Sequence, residues 1–336
     1  MSKEFYLQWH ITNLCNLRCL HCYQDDFSNK ADLNLQDLKK VADNFLSILS
    51  KWKKLAVINL TGGEPFLKKE LFGLLEYLNS HKQVKKLGII TNATCFNKDN
   101  LSKLKEFKKI KEIKLSLEAT DEELNDSIRG KGTFVKILKA IELLKQQNKF
   151  EITLMFTLFK KNLSEVSKLF NFVESKAVDG VIFERFIPLG KGRALKQELL
   201  SKEEWHKFLL SLLQFLEIPF EKQFFSYKAF WVRFKNGKPS LFGAPCVVAD
   251  SGICIMPNGD CYPCRRFNLK IGNLLQEPFD KIYKSSKVLK DLRKRNNLKG
   301  KCRTCLIKTC RGCRALAFAL TSDYLAEDLQ CDYNGD

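Results

Sequence analysis

Apolar runs and amphipathic stretches alternate from the N-terminus to about residue 190. Runs rich in Ile, Leu, Val and Phe at 5–12, 55–61, 86–91, 112–117, 150–158 and 180–187 predict β-strands. Between them, helical periodicity predicts helices over 35–49, 68–80, 99–108, 134–147 and 164–175. Thr120 with Glu123, Asn162 with Glu165 and Ser201 with Glu204 have the capping-box spacing or a near relative of it. Strand–helix alternation means parallel strands with covering helices, an α/β fold. The pattern changes after Gly190-Lys191-Gly192. A helix is expected over 201–216, followed from Cys246 to Cys331 by a cysteine-rich region that reads as a separate module. Pro257-Asn258-Gly259-Asp260, between apolar runs, predicts a hairpin turn there. The segments are 1–195, a helical linker at 196–240, and 241–336.

The unusual residues fall at predicted strand ends. Cys15, Cys19 and Cys22 follow the first strand, and Thr61-Gly62-Gly63-Glu64-Pro65 follows the second. Thr91-Asn92 closes the third, Ser116-Leu117-Glu118 the fourth, and Arg185 lies near the end of the sixth. Barrels of βα units build their active sites from loops at this end of the strands.

Three thiolates as close as Cys15, Cys19 and Cys22 can hold three irons of a [4Fe–4S] cluster. The fourth iron stays open and can chelate the amino and carboxylate groups of S-adenosylmethionine. One electron then cleaves the sulfonium to a 5′-deoxyadenosyl radical, chemistry that belongs to the cofactor. A zinc site is the alternative, with His21 the only further ligand nearby. Gly62 and Gly63 allow close backbone approach to a ligand, Glu64 is expected to aim outward, and Pro65 suits a first helical position. Downstream, Cys302, Cys305, Cys310 and Cys313 form a compact array, with Cys246 and Cys264 upstream and Cys331 beyond. A zinc ribbon on the Cys-x2-Cys pairs is the alternative to iron–sulfur ligation. Cys95 is isolated and reads as a small buried apolar filler.

These motifs resemble the radical S-adenosylmethionine superfamily with a C-terminal SPASM extension. The stretch from Cys313 to Cys331 is similar to the branch containing maturases of pyrroloquinoline quinone and mycofactocin precursors and the tetrapyrrole-modifying enzymes of alternative haem and haem d1 synthesis. The resemblance implies an open partial (β/α)6 TIM-like barrel followed by a small iron–sulfur domain. It implies that Gly62, Gly63, Glu64 and Pro65 meet the amino group of S-adenosylmethionine, and that Asn92 and Ser116 meet its ribose. Glu118 and Ala119 stand where relatives carry Asp and Gly. Arg129 is expected to pair with a carboxylate of cofactor or substrate, or to form a surface salt bridge, and Arg185 to face the substrate. His21 and Tyr23 are expected to pack near the adenine. Two auxiliary [4Fe–4S] clusters are implied, one on Cys302, Cys305, Cys310 and Cys331, the other on Cys246, Cys264 and Cys313. For the latter, Cys254 or Cys261 completes the set, or one iron stays open.

Composition narrows the partners. The 336 residues carry a formal charge of +19 with basic residues scattered through the helices, which does not single out nucleic acid and suits an acidic peptide or a carboxylate-rich molecule. No apolar stretch reaches membrane-spanning length. No signal pattern precedes the triad, and thirteen cysteines point to metal in a reducing cytoplasm rather than to disulfides. With four histidines, a histidine-based hydrolase finds little support. The expected activity is maturation of a small ribosomally made peptide by hydrogen abstraction, leading to oxidation or cross-linking. Tetrapyrrole side-chain modification and anaerobic sulfatase maturation are the alternatives, and a non-catalytic electron carrier the contrasting class. A low-potential donor of flavodoxin or ferredoxin type is implied. Strand one begins so early that leader recognition is expected to need a separate protein or a groove on the barrel.

Overall fold

Six parallel strands in chain order form the centre of one eleven-stranded sheet in the computed structural model, which describes residues 3–235 and 238–333. The remaining positions of the expected segments, 1, 2, 236, 237 and 334–336, lie outside the described residues. The barrel runs β1 (Glu4–His10), α1 (Leu35–Lys51), β2 (Leu55–Thr61), α2 (Leu71–Ser80), β3 (Val84–Thr91), α3 (Lys98–Glu106) and β4 (Ile110–Ser116). It continues with α4 (Glu122–Arg129), α5 (Thr133–Lys145), β5 (Glu151–Leu158), α6 (Glu165–Ser175) and β6 (Gly180–Arg185). After α7 (Lys202–Phe215) come β7 (Tyr227–Lys235), β8 (Lys238–Pro245), β9 (Gly252–Ile255), β10 (Asp260–Tyr262) and β11 (Gly272–Asn273). The chain closes with α8 (Phe279–Ser285), α9 (Lys287–Arg293), α10 (Lys301–Thr304) and α11 (Arg314–Thr321).

Every expected strand is present, within two residues at either end. Helix α4 was not foreseen, because its short polar sequence has few apolar positions to betray a period. Its cap is Asp121, whose carboxylate accepts from Leu124 N at 2.9 Å, rather than Thr120. Thr120 instead donates to Glu165, and Asn162 donates to the carbonyls of Glu118 and Thr157. Neither therefore caps a helix with Glu123 or Glu165 as the spacing implied. The Ser201–Glu204 capping box is formed. The linker is helical only in its first half; β7 then pairs antiparallel with β6 and with β8.

The cysteine-rich region does not stand apart from the sheet. Strand β9 pairs parallel with β1, and the expected hairpin turn joins β9 to β10, with Gly259 at φ +82°. Phe5, Phe45 and Phe279 bring β1, α1 and α8 together at centroid distances of 5.0–5.8 Å. The Asn44 side chain donates to the carbonyls of Leu274 and Glu277 and accepts from Phe279 N. Each phenylalanine buried there contributes about 2 kcal/mol of transfer free energy.

His10 closes β1 with no exposure, and neither ring nitrogen has a partner among the described residues. Burial, reinforced by the Arg265 charge, lowers its pKa from 6.5 to about 3. The folded chain thus binds fewer protons than the unfolded one in this interval. This contribution to stability is present above pH 6.5 and is lost as pH falls toward 3. His10→Phe should move the acid-unfolding midpoint to lower pH, removing a penalty on the order of 4 kcal/mol, as read by circular dichroism during acid titration.

Candidate functional site

Cys15, Cys19 and Cys22 line one cavity at the C-terminal ends of the parallel strands, with Gly62, Gly63, Asn92, Ser116 and Arg129 on its other walls. Asn92 Nδ2 donates to Asn16 Oδ1 at 3.1 Å and lies 3.8 Å from Cys15 Sγ, so this side chain belongs to the cysteine loop as well as to the cavity. Burial pushes the Cys15 thiol up and the Cys22 thiol to about 11. Burial opposes the Arg129 charge, but the neighbouring Cys19 and Glu118 outweigh it and raise its pKa. Three soft thiols facing one cavity beside a buried guanidinium fit an iron–sulfur cluster, since iron would supply the positive charge that buried thiolates need.

Glu64 does not aim outward. It is fully buried, and its carboxylate accepts from Thr91 Oγ1 at 2.7 Å, Asn92 N at 2.8 Å and Phe66 N at 3.2 Å. It ties the end of β2 to the end of β3. Burial raises its pKa to about 6. Neither Glu64 nor Pro65 lines the cavity, and Pro65 opens a 3-10 turn. The glycines serve close approach, but to protein. A Cβ at Gly62 would sit 2.5 Å from Thr12 O, and one at Gly63 2.3 Å from Leu14 O. Gly63 N donates to Thr12 O and Glu64 N to Leu14 O, at 2.7 and 2.8 Å. The motif therefore presses against the loop that carries Cys15.

Glu118 accepts from Arg129 Nη1 at 3.0 Å and Thr157 N at 2.8 Å, and lies 3.0 Å from His21 Nε2. Arg129 is buried, not a surface salt bridge. His21 stacks on Phe159, and Tyr23 meets His10 edge-on. Arg185, expected to face substrate, lines the same cavity, and its guanidinium pairs with Asp328 at 2.9 Å and stacks over Trp205. Asp328 is fully buried, and it also meets Lys228 Nζ at 3.4 Å and accepts from Cys313 N at 2.8 Å. Burial opposes its ionisation, but Arg185 and Lys228 hold its carboxyl far below the usual range.

A second cavity of about 300 Å³ is lined by Cys246, Cys254, Cys264 and Cys313. It shares Ile90, Met155, Glu184, Arg265 and Arg266 with the first, so the two are adjacent across these side chains. Arg265 Nη2 and Arg266 Nη2 both donate to Glu184, at 2.7 and 3.3 Å. Glu184 and these arginines were not foreseen; their nearest signal is the position of Arg265 and Arg266 directly after Cys264. Cys261, by contrast, is packed in the apolar core. On the far side of Cys313, Cys305 and Cys331 pack around Cys310, and Gly312 lies between Cys310 and Cys302. Cys95 is half-buried rather than buried. Among the described residues, no three or more His, Cys, Asp or Glu side chains form a single-ion site.

The radical SAM superfamily model matches residues 9–173, and the SPASM iron-sulfur cluster-binding domain matches 246–314. The chain is 27% identical to an AdoMet-dependent heme synthase of Methanosarcina barkeri, over 97% of this chain and 96% of that protein. It is 26% identical to the antilisterial bacteriocin subtilosin biosynthesis protein AlbA of Bacillus subtilis, over 86% of this chain and 62% of that one. In fold it matches Streptococcus suis SuiB bound to its precursor peptide SuiA, with a TM-score of 0.74 at 16% identity over 98% of this chain and 76% of that one.

Two substitutions check the geometry. Gly63→Ala should cost about 1–3 kcal/mol, since backbone rather than a movable side chain meets the new methyl, and should lower iron bound per chain. Asp328→Asn leaves Arg185 and Lys228 without their carboxylate and should destabilise by about 3–5 kcal/mol in denaturant titration.

Proposed function

Because this chain is a radical S-adenosylmethionine enzyme with a SPASM iron–sulfur domain, we propose that it matures a small ribosomally made peptide, abstracting hydrogen so that a residue is oxidised or cross-linked. When bound, the cluster and S-adenosylmethionine supply a carbon-centred radical. Cys15, Cys19 and Cys22 would hold that cluster. Gly62 and Gly63 keep the cysteine loop in place and offer backbone at the cavity wall, with Asn92, Ser116 and Arg129 as polar contacts to the cofactor. The Glu118–Arg129 pair closes the cavity floor and keeps a buried positive charge beside the thiols.

The observation that carries this reading is that the Cys15 cavity and the cavity lined by Cys246, Cys264 and Cys313 are adjacent and share lining residues. A substrate radical formed in the first would lie near an electron-accepting group in the second, as an oxidative maturation needs. Cys246, Cys264 and Cys313 would hold one auxiliary cluster, with Cys254 on the same cavity; Cys302, Cys305, Cys310 and Cys331 would hold the other. Relatives such as AlbA support a peptide substrate.

A tetrapyrrole is the second reading. It is favoured by the end-to-end likeness to a heme synthase and by two guanidiniums sharing the single carboxylate of Glu184, which leaves positive charge for a propionate.

Anaerobic co-expression with a short peptide encoded beside this gene, followed by mass spectrometry, tests the first reading. Loss of hydrogen mass from the peptide, absent with Cys19→Ala, is expected. An unchanged peptide with decarboxylated product from iron coproporphyrin would favour the second.

A further inference from the structure

Two cations aim at the thiols of the C-terminal array. Lys228, at the start of β7, is buried, and its Nζ lies 3.7 Å from Cys310 Sγ. Arg314, at the start of α11, is 1% exposed, and its Nη2 lies 3.5 Å from Cys302 Sγ. Backbone donors add to them: Gly312 N reaches Cys310 Sγ and Asp328 N reaches Cys302 Sγ, each at 3.3 Å. Arg185, Lys228 and Arg314 gather around one carboxylate, Asp328, so this pocket carries an excess of positive charge. Among the described residues, no lysine or arginine nitrogen is hydrogen-bonded to the sulfurs of Cys246, Cys264 or Cys313, although the Val248 backbone meets Cys246, and Lys228 and Arg314 also line the cavity these thiols face. Arg265 is close to that group, but its Nη2 is committed to Glu184 at 2.7 Å.

A cluster gains negative charge on reduction. Hydrogen bonds to its sulfurs and nearby cations favour the reduced form and raise its potential. We propose that Lys228 and Arg314 set the reduction potential of the iron–sulfur group held by Cys302, Cys305, Cys310 and Cys331, and keep it above that of the group at Cys246, Cys264 and Cys313. The two groups are then unequal by construction. The group whose thiols line the second cavity is the weaker electron acceptor, and the group on Cys302, Cys305, Cys310 and Cys331 the stronger. Lys228 and Arg314 are positioning residues in this scheme, since neither touches the reacting atoms. Arg314 is held in place by the carbonyls of Tyr324 and Ala326, and Lys228 by that of Phe225.

This inference rests on the ligand grouping given under the proposed function. The test is an EPR-monitored potentiometric titration of the anaerobically reconstituted holoenzyme, with signals assigned by the Cys246→Ala variant. In the wild type the Cys302 group should titrate at the more positive potential. Lys228→Met should move that midpoint to a more negative value by more than it moves the other, and Lys228→Arg should restore it. An unmoved midpoint in an iron-replete Lys228→Met protein overturns the proposal. If that variant does not hold its iron, the wild-type order decides: a Cys302 group titrating at or below the Cys246 group overturns the proposal. A failed peptide assay leaves these potentials as they are, so the two readings fail separately.

Discussion

The carboxylate of Asp328 joins the three parts of this chain. Arg185 reaches it from the end of β6, Lys228 from β7 after the linker, and the Cys313 N–H from the cysteine array. A carboxylate with no exposure keeps its charge only with such partners, because desolvation alone would neutralise it. The partners are buried under the same constraint. Each needs the others in place, so the barrel end and the cysteine array have a fixed mutual position. The adjacency of the two thiol-lined cavities depends on that position.

A comparable constraint operates at the other end of the site. Gly62 and Gly63 have no room for a side chain because the Thr12–Leu14 backbone passes against them. The same segment donates its amides to that loop, while Glu64 turns inward to fasten β2 to β3. The motif thus acts first on the cysteine loop, setting where Cys15 can stand. What remains at the cavity surface is the backbone of Gly62 and Gly63.

Function follows from how the two ends meet. The chain is similar both to a heme synthase and to a bacteriocin biosynthesis protein, so the fold alone does not fix the substrate. Here the cavity wall between the thiol groups is formed by Glu184, Arg265 and Arg266, brought together from β6 and from the loop after Cys264. These residues line both cavities.

Much of this was legible in the chain. Parallel strands announce themselves as apolar runs because both faces are covered, and the thiol spacings are local, so sequence determined the order of elements, the radical-enzyme motifs and the hairpin at Gly259. Local signals misled where a polar side chain had more than one partner within reach. Thr120 and Asn162 had capping spacing yet bond across to other elements, and Arg185, which does line the cavity at its strand end, also binds a carboxylate 143 residues away. The pairing of β9 with β1, the inward turn of Glu64 and the separation of Cys261 from Cys254 were likewise decided only by tertiary structure. Each depends on which distant surface is adjacent, and a buried charge or thiol takes its role from the groups that desolvate it, which a one-dimensional pattern does not contain.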